Sequence, residues 1–177
     1  MEGFESDRYT TLFIVKGLGE LKAMGAIRVS RNDSLGAMLE RGVRFLDRQY
    51  QEDFDAMKEK PKSLYGSPLY YLYARSFFPE IALTPKRHTA YKHYKKLLLK
   101  ADATSGTLTQ KALRMLTLVR FNKHRKAKAI AEVVRQSSLS SDEMGIYWRD
   151  NANRWGWNWL WDSNTTTTQA LLIEAFV

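Results

Sequence analysis

Apolar side chains recur every three or four residues along most of the chain, and this spacing predicts helices joined by short connections. The first helix is expected from about Asp7 to Met24, because Gly25 can act as its C-terminal cap. The second is expected to start at the N-cap residues Asp33–Ser34 and to run toward Lys60 before Pro61. The expected apolar faces are Tyr9, Phe13, Ile14, Leu18 and Leu21 for the first helix and Leu35, Met38, Leu39, Val43, Leu46 and Tyr50 for the second.

Cap signals also predict the starts of the next three helices. The third opens with Ser67–Pro68, a capping hydroxyl followed by a proline in the first helical position, and the fourth repeats this with Thr84–Pro85. The fifth begins at Thr107, because Gln110 three residues later completes a capping box. The sixth and seventh predicted helices are HRKAKAIAEVVRQ and TTTTQALLIEAFV.

The predicted helices alternate in character. The first, third, fifth and seventh are apolar or aromatic over much of their circumference, whereas the second, fourth and sixth are charged outside a narrow apolar stripe. Helices of the first kind must be buried on several sides, and helices of the second kind cover them from outside. The sequence therefore predicts an all-α fold of two concentric helical layers, an α/α toroid or curved solenoid, in a single helical domain over residues 1–177.

The segment from about Met144 to Trp161 is the exception to the helical pattern. It holds all five tryptophans, and an extended chain would place four of them on one face, because successive side chains of a strand point to opposite sides. With GIYW before it and RDNAN as a turn, it predicts a Trp-rich β-hairpin or extended loop before the last helix, which Asp162–Asn164 then cap. We expect these indoles to seal the end of a helical layer, and the alternative is a binding surface for a protein or a glycan. The tryptophans are Trp148, Trp155, Trp157, Trp159 and Trp161.

Composition narrows the range of partners. The 177 residues are 44% hydrophobic, enough for an ordinary core, and 28 Lys and Arg against 19 Asp and Glu leave a net charge of +9. Such a charge is typical of proteins that bind nucleic acid, which also interleave aromatic residues with the cations. In the basic segment PKRHTAYKHYKKLLLK the tyrosines instead lie close to an apolar stripe. We therefore expect solvated outer helices and no nucleic-acid partner. The longest apolar runs are far short of a membrane span, and the first residues lack a signal-peptide core, so we expect no membrane insertion of this segment.

Few residues are candidates for a catalytic or metal-binding site. The sequence has no cysteine, which excludes a disulfide, a CxxC zinc site, a thiol nucleophile and a thioester within this chain. His88 and His93 have the wrong spacing for a helical zinc site and are expected on a solvated face, while Gly17 and Gly19 are expected to permit close helix packing. Four acids near the tryptophans resemble the carboxylates of a glycoside hydrolase cleft. A cap position explains Asp162 and a turn explains Asp150, so we expect no catalytic residue, cofactor or metal. These acids are Asp142, Glu143, Asp150 and Asp162.

Three stretches, taken in order, resemble a known family. ESDRYTTLFIVKGLGELKAMGAI, then LERGVRFLDRQY, and finally NTTTTQALLIEAF after the Trp-rich segment are similar to the thioester-type, complement-like domain of bacterial alpha-2-macroglobulins. That domain is an α/α toroid, and the resemblance covers its later half. It implies that residues 1–177 are a fragment of a larger toroid domain. No thioester residue is assigned, because the chain has no cysteine.

The resemblance also implies a function. It points to a structural and interaction domain of a protease-trapping inhibitor, without a thioester in this chain and without enzyme activity. The expected partners are other domains of the same large protein and target proteases, and the expected location is the periplasm or the cell surface. The alternative function is a toroidal carbohydrate-active or carbohydrate-binding domain, which the acids and the tryptophan face would serve.

Overall fold

The computed structural model describes residues 7–30, 33–85, 88–143, 145–149 and 165–176. This part of the chain is mostly helical with one two-stranded sheet, which confirms the all-α class. None of its helices combines the length and the apolar character that crossing a membrane requires. The elements are α1 (Arg8–Ala23), α2 (Ser34–Ala56), α3 (Ser67–Ser76), α4 (Thr89–Lys100), α5 (Leu108–Arg120), α6 (His124–Gln136), β1 (Leu139–Ser141), β2 (Gly145–Tyr147) and α7 (Thr165–Phe176).

Both ends of α1 form as their residue types predict. The Asp7 side chain accepts a hydrogen bond from the Thr10 amide at 2.6 Å, which satisfies a backbone donor at the helix start. Gly25 has a φ of 73°, and its amide donates to the carbonyl of Lys22 at 3.1 Å. The next amide, that of Ala26, donates to Leu21 at 3.0 Å. This pair of bonds is the glycine-terminated helix end that the sequence predicts.

The predicted starts of α2 and α5 are also confirmed. Asp33 caps α2, and its side chain accepts from the Gly36 amide at 2.6 Å. Thr107 and Gln110 exchange the two bonds of a capping box at the start of α5. The start of α6 at His124 coincides with the predicted segment, although this helix has no side-chain cap.

The predicted start of α4 is wrong. The helix begins at Thr89 rather than at Pro85, and the peptide bond between Thr84 and Pro85 is cis. The Thr84 amide donates instead to the side chain of Asp47 on α2 at 3.2 Å. The Ser–Pro and Thr–Pro signals look alike in sequence, but a long-range hydrogen bond holds the second of them outside the helix.

The described residues fall into two compact units. Unit 1 lies within Met1–Lys62 and Tyr70–Leu97, and unit 2 lies within Ser63–Leu69 and Leu98–Val177. In unit 1, α1 packs against α2, and the core is dominated by large side chains. The fully buried ones with the largest volume are Leu12, Leu39, Leu46, Tyr71, Leu72, Tyr73, Phe78 and Tyr94. In unit 2, α5 packs against both α6 and α7.

The predicted alternation between helices is confirmed for α2 to α6 but not for α1 and α7. Every residue of α3 from Leu69 onward is buried, and so are all residues of α5 from Ala112 to Leu118. The charged helix α6 buries only the stripe Ala127, Ile130 and Val134. α7 departs from the prediction, because Thr168, Leu171 and Leu172 are its buried residues while others, such as Ile173, are exposed.

The predicted buried face of α1 is wrong. Its buried residues are Leu12, Val15 and Gly19. The expected core residues are exposed instead, with Leu18 half-buried. The reason is that α1 is apolar on two sides, and the side that carries Gly19 packs against the ring of Phe77. The exposed fractions on the other side are 42% for Tyr9, 63% for Phe13, 46% for Ile14 and 39% for Leu21.

A short hairpin lies between α6 and α7. β1 pairs antiparallel with β2, with Leu139 opposite Tyr147 and Ser141 opposite Gly145. β2 falls inside the segment predicted to be extended, but β1, the strand that pairs with it among the described residues, was not predicted. The predicted strand of alternating tryptophans and the caps Asp162–Asn164 lie outside the described residues.

The connection between α4 and α5 is held by a buried arginine. The Arg114 guanidinium donates to the carbonyl of Ser105 at 2.8 Å, to that of Asp102 at 2.7 Å and to that of Ala101 at 3.2 Å. Arg114 is only 2% exposed, and burial lowers its pKa while the charge of Asp102 opposes that shift. One α5 side chain therefore satisfies three backbone carbonyls of the connection that follows α4.

Candidate functional site

An open groove of about 570 Å³ is lined by residues of both α1 and α2 within unit 1. Val15 and Leu39 are the buried part of its lining, and Ile14 and Met38 are its exposed apolar part. A side chain at Gly42 would place Cβ 3.1 Å from Val15, so the glycine allows the two helices to approach closely. The groove is thus apolar along both helices and open to solvent.

Arginines on α2 line the same groove. Arg41, Arg44 and Arg48 follow each other at intervals of three and four residues, which places them on one face of the helix. Arg44 forms an ion pair with Glu40 at 2.6 Å and donates to the Thr84 hydroxyl at 3.1 Å. Arg41 and Arg48 are exposed and form no ion pair with any described residue. The apolar groove therefore has a positively charged edge.

The exposed side of α1 extends this apolar surface. Ile14, Gly17, Leu21 and Met24 are spaced by three, four and three residues, so they lie along one face. Met24 is 71% exposed. A Cβ built at Gly17 meets no atom within 4 Å, which leaves open space at the middle of the face. The face and the groove meet at Ile14.

A second feature of unit 1 is a buried polar network around Asp47 on α2. Its carboxylate accepts from the Tyr71 hydroxyl at 2.7 Å, from Arg75 Nε at 3.1 Å and from the Thr84 amide at 3.2 Å. The Arg75 guanidinium also donates to the carbonyls of Phe78 and Ile81. Burial, reinforced by the negative charge of Asp47, raises the pKa of Tyr71 well above its usual value. The network joins α2, α3 and the segment before α4.

His88 belongs to this network, and its predicted place on a solvated face is wrong. The residue is fully buried, and its Nδ1 accepts from the Tyr91 amide at 3.0 Å. Its Nε2 therefore carries the proton and donates to the Asp47 carbonyl at 2.7 Å. Burial lowers the pKa of His88, and the carboxylate of Asp47 only partly offsets this. His93 is half-buried and its Nε2 contacts the carbonyl oxygen of Pro61 at 2.7 Å.

Trp148 is the tryptophan that lies among the described residues. It is 9% exposed, and its Nε1 donates to the Val134 carbonyl at 2.8 Å. Its ring stacks on that of Phe176 with centroids 5.6 Å apart, and its carbonyl accepts from the Gln169 side chain at 2.6 Å. Trp148 thus connects α6 to α7 as a packing residue. Trp155, Trp157, Trp159 and Trp161 lie outside the described residues.

The acids considered for catalysis are not brought together among the described residues. Asp142 and Glu143 are exposed in the hairpin turn, and Asp150 and Asp162 lie outside the part of the chain that the structure describes. Within that part, no three His, Asp or Glu side chains form a group that could hold a metal ion.

Sequence reasoning missed both the network and the groove. Asp47 occupies a position in the apolar stripe of α2, four residues after Val43 and three before Tyr50. An acid within such a stripe signals a buried partner, and the cation within the apolar third helix, Arg75, is that partner. The exposed apolar face had no comparable signal, because the periodicity of α1 is compatible with burial on either side.

The network and the groove differ in what they can do. The polar groups of the network are buried and hydrogen-bonded to one another, whereas the groove and the adjoining face of α1 are open to a partner molecule.

No protein-family model matches this chain, and no curated protein matches it.

Proposed function

We propose that this chain is a structural and interaction domain, without catalytic activity, of a bacterial alpha-2-macroglobulin-like protein that traps proteases. The observation that carries the proposal is the second apolar face of α1, at Ile14, Gly17, Leu21 and Met24, together with the groove beside it. Contiguous apolar surface edged by charged side chains is typical of sites where proteins bind each other.

The burial pattern of the helices supports a place within a larger helical layer. α3 and α5 are buried around most of their circumference, whereas α2, α4 and α6 bury one stripe, as expected for inner and outer helices of a toroid. α1 has the apolar character of an inner helix but is covered on one side. Further protein on its other side would complete the layer. The stretch with the family resemblance ESDRYTTLFIVKGLGELKAMGAI includes all of α1.

In this function the chain acts through noncovalent contacts rather than through a covalent bond to the protease. It has no cysteine, so it supplies no thioester for covalent attachment to a protease. Its partners are the other domains of the same protein and, through them, the trapped protease in the periplasm or at the cell surface. The carbohydrate-binding alternative gains no support from Trp148, since that indole is buried against α6 and α7.

The test uses the whole polypeptide that carries this chain, isolated from its cells with an antibody against the chain. It is incubated with an active protease, and two substrates are compared. A trap keeps large proteins away from the enclosed protease but admits small peptides. We therefore expect digestion of a large protein substrate to stop while hydrolysis of a chromogenic peptide continues.

Two results would contradict this function. Continued digestion of both substrates would show that no protease is held, and loss of both activities would indicate an inhibitor that blocks the protease active site directly. A catalytically inactivated protease is the matched control. In the family that the chain resembles, a protease triggers the trap by cutting a segment called the bait region, so a protease that cannot cut should not be trapped.

A further inference from the structure

We propose that the surface formed by α1 and α2 binds an amphipathic helix whose apolar face is flanked by carboxylates. We call this the docking surface and define it by Ile14, Gly17, Leu21, Met38, Arg41 and Arg48. The inference rests on the proposed interaction function and adds the chemical class of the partner. The docking surface has an apolar part, a steric part and a charge part that point to this partner.

The apolar part comes from side chains that solvent reaches. Ile14 is 46% exposed, Leu21 39% and Met38 42%. Ile14 and Met38 line an opening of about 570 Å³ from opposite sides, a volume within the usual range of ligand sites, and Leu21 extends the apolar face of α1 beyond it. An apolar helix face laid along α1 covers these side chains and inserts its own into the groove.

The steric part comes from Gly17. A Cβ at this position would meet nothing within 4 Å, so no side chain of unit 1 uses the space. A helix face with a glycine at its centre lets another helix approach more closely than one with larger side chains. A partner helix can therefore bring its backbone close to α1 at Gly17.

The charge part comes from α2. Arg41 and Arg48 are seven residues apart, which corresponds to about 10 Å along one side of a helix. Two carboxylates seven residues apart on a partner helix match that separation. The net charge of +9 favours approach of an acidic partner to the whole chain as well. Two copies of this chain related by a two-fold axis would instead bring the same arginines into one interface.

The experiment measures binding of two labelled peptides to the 177-residue chain by fluorescence anisotropy. Both are helix-forming peptides of about 18 residues with the same apolar face, long enough to span the exposed side of α1. One carries glutamates at positions seven apart beside that face, and the other carries lysines there. We expect the acidic peptide to bind about tenfold or more tightly than the basic one at moderate salt, with the difference shrinking as salt is raised.

Two variants and a control locate the effect. Gly17→Leu fills the open space and should weaken the binding of both peptides about tenfold. Circular dichroism should show that this variant retains its helices. Arg41→Glu combined with Arg48→Glu should reverse the preference, so that the basic peptide binds more tightly. The control is Arg125→Glu combined with Lys126→Glu, at exposed positions of α6. It changes the net charge by the same amount as the double arginine variant and should still bind the acidic peptide more tightly.

Three results would overturn the inference. They are equal affinity for both peptides, a double arginine variant that behaves as the α6 control does, and sedimentation showing a dimer of the chain that Gly17→Leu dissociates. The last result would assign the docking surface to a second copy. Failure here and failure of the proposed function are distinguishable, because the peptide preference is measured without a protease and protease trapping is measured without a peptide.

Discussion

Gly17 and Gly19 lie two residues apart in α1, and alanine at these positions should have opposite effects on stability. A Cβ at Gly17 meets no atom within 4 Å, whereas a Cβ at Gly19 would lie 2.6 Å from Cγ and 2.9 Å from Cβ of Phe77. The ring of Phe77 is itself buried and packs edge-on against Tyr73 with centroids 5.1 Å apart. It therefore has little room to move away from a new methyl group.

The magnitudes follow from two terms. Replacing a glycine inside a helix by alanine stabilises the folded chain by about 0.5–1 kcal/mol, and both variants gain this. At Gly19, forcing a methyl group into a packed core costs about 1–3 kcal/mol. We therefore expect Gly17→Ala to be about 0.5–1 kcal/mol more stable than the parent, and Gly19→Ala to be up to about 2 kcal/mol less stable.

Urea unfolding followed by far-ultraviolet circular dichroism measures both changes. The two variants have the same composition and the same helix propensity, so each serves as the control for the other. Because the chain has two compact units, the comparison applies to the transition in which unit 1 unfolds. Equal shifts of that transition for the two variants would refute the argument, since they would show that Phe77 does not limit the space at Gly19.

Three further predictions concern buried groups. Asp47→Asn leaves the Arg75 charge buried without its partner and should cost about 3–5 kcal/mol of unfolding free energy in urea. His88 has a lowered pKa when folded, so below about pH 6.5 the unfolded chain binds more protons and stability should fall as the pH falls further. Unfolding curves measured at several pH values should show this dependence in the parent and a weaker one in His88→Gln. Trp148→Phe retains an aromatic ring against Phe176 but loses the bond to Val134, which should cost about 1–2 kcal/mol by urea unfolding.

The Asp47 and His88 predictions each have a matched control. Glu132→Gln removes one partner of an exposed ion pair on α6 and should leave the unfolding curve unchanged. His124→Gln replaces an exposed histidine and should keep the acid-dependent loss seen in the parent. A stable Asp47→Asn protein, or an acid response that His88→Gln leaves unaltered, would count against the role given to the buried network.

Local signals in the sequence predict most helix ends, because the atoms that form a cap are close in sequence. Thr107 with Gln110, and Gly25 after α1, are examples in which the deciding hydrogen bonds lie within a few residues. The Thr84–Pro85 signal fails because the amide of Thr84 bonds to Asp47, 37 residues earlier in the chain. No pattern within a short window contains that information.

The candidate site was harder to predict for a related reason. Periodicity shows that α1 is apolar on more than one side, but the choice of the buried side depends on Phe77, more than 50 residues away. The lysines that flank His88 in the sequence predict a solvated face, whereas its burial follows from hydrogen bonds to Asp47 and Tyr91. Asp47 carried a usable signal, an acid inside an apolar stripe, that points to a buried ion pair.

The arginine that holds the connection between α4 and α5 has a consequence for proteolysis. The connecting sequence ADATSGT is made of small and polar residues, the composition at which proteases usually nick a folded chain. Cleavage there requires the carbonyls of Ala101, Asp102 and Ser105 to leave the Arg114 guanidinium, so its rate follows the free energy of that local opening. Resistance of this connection to digestion is therefore determined by a residue nine to thirteen positions further along the chain, inside α5.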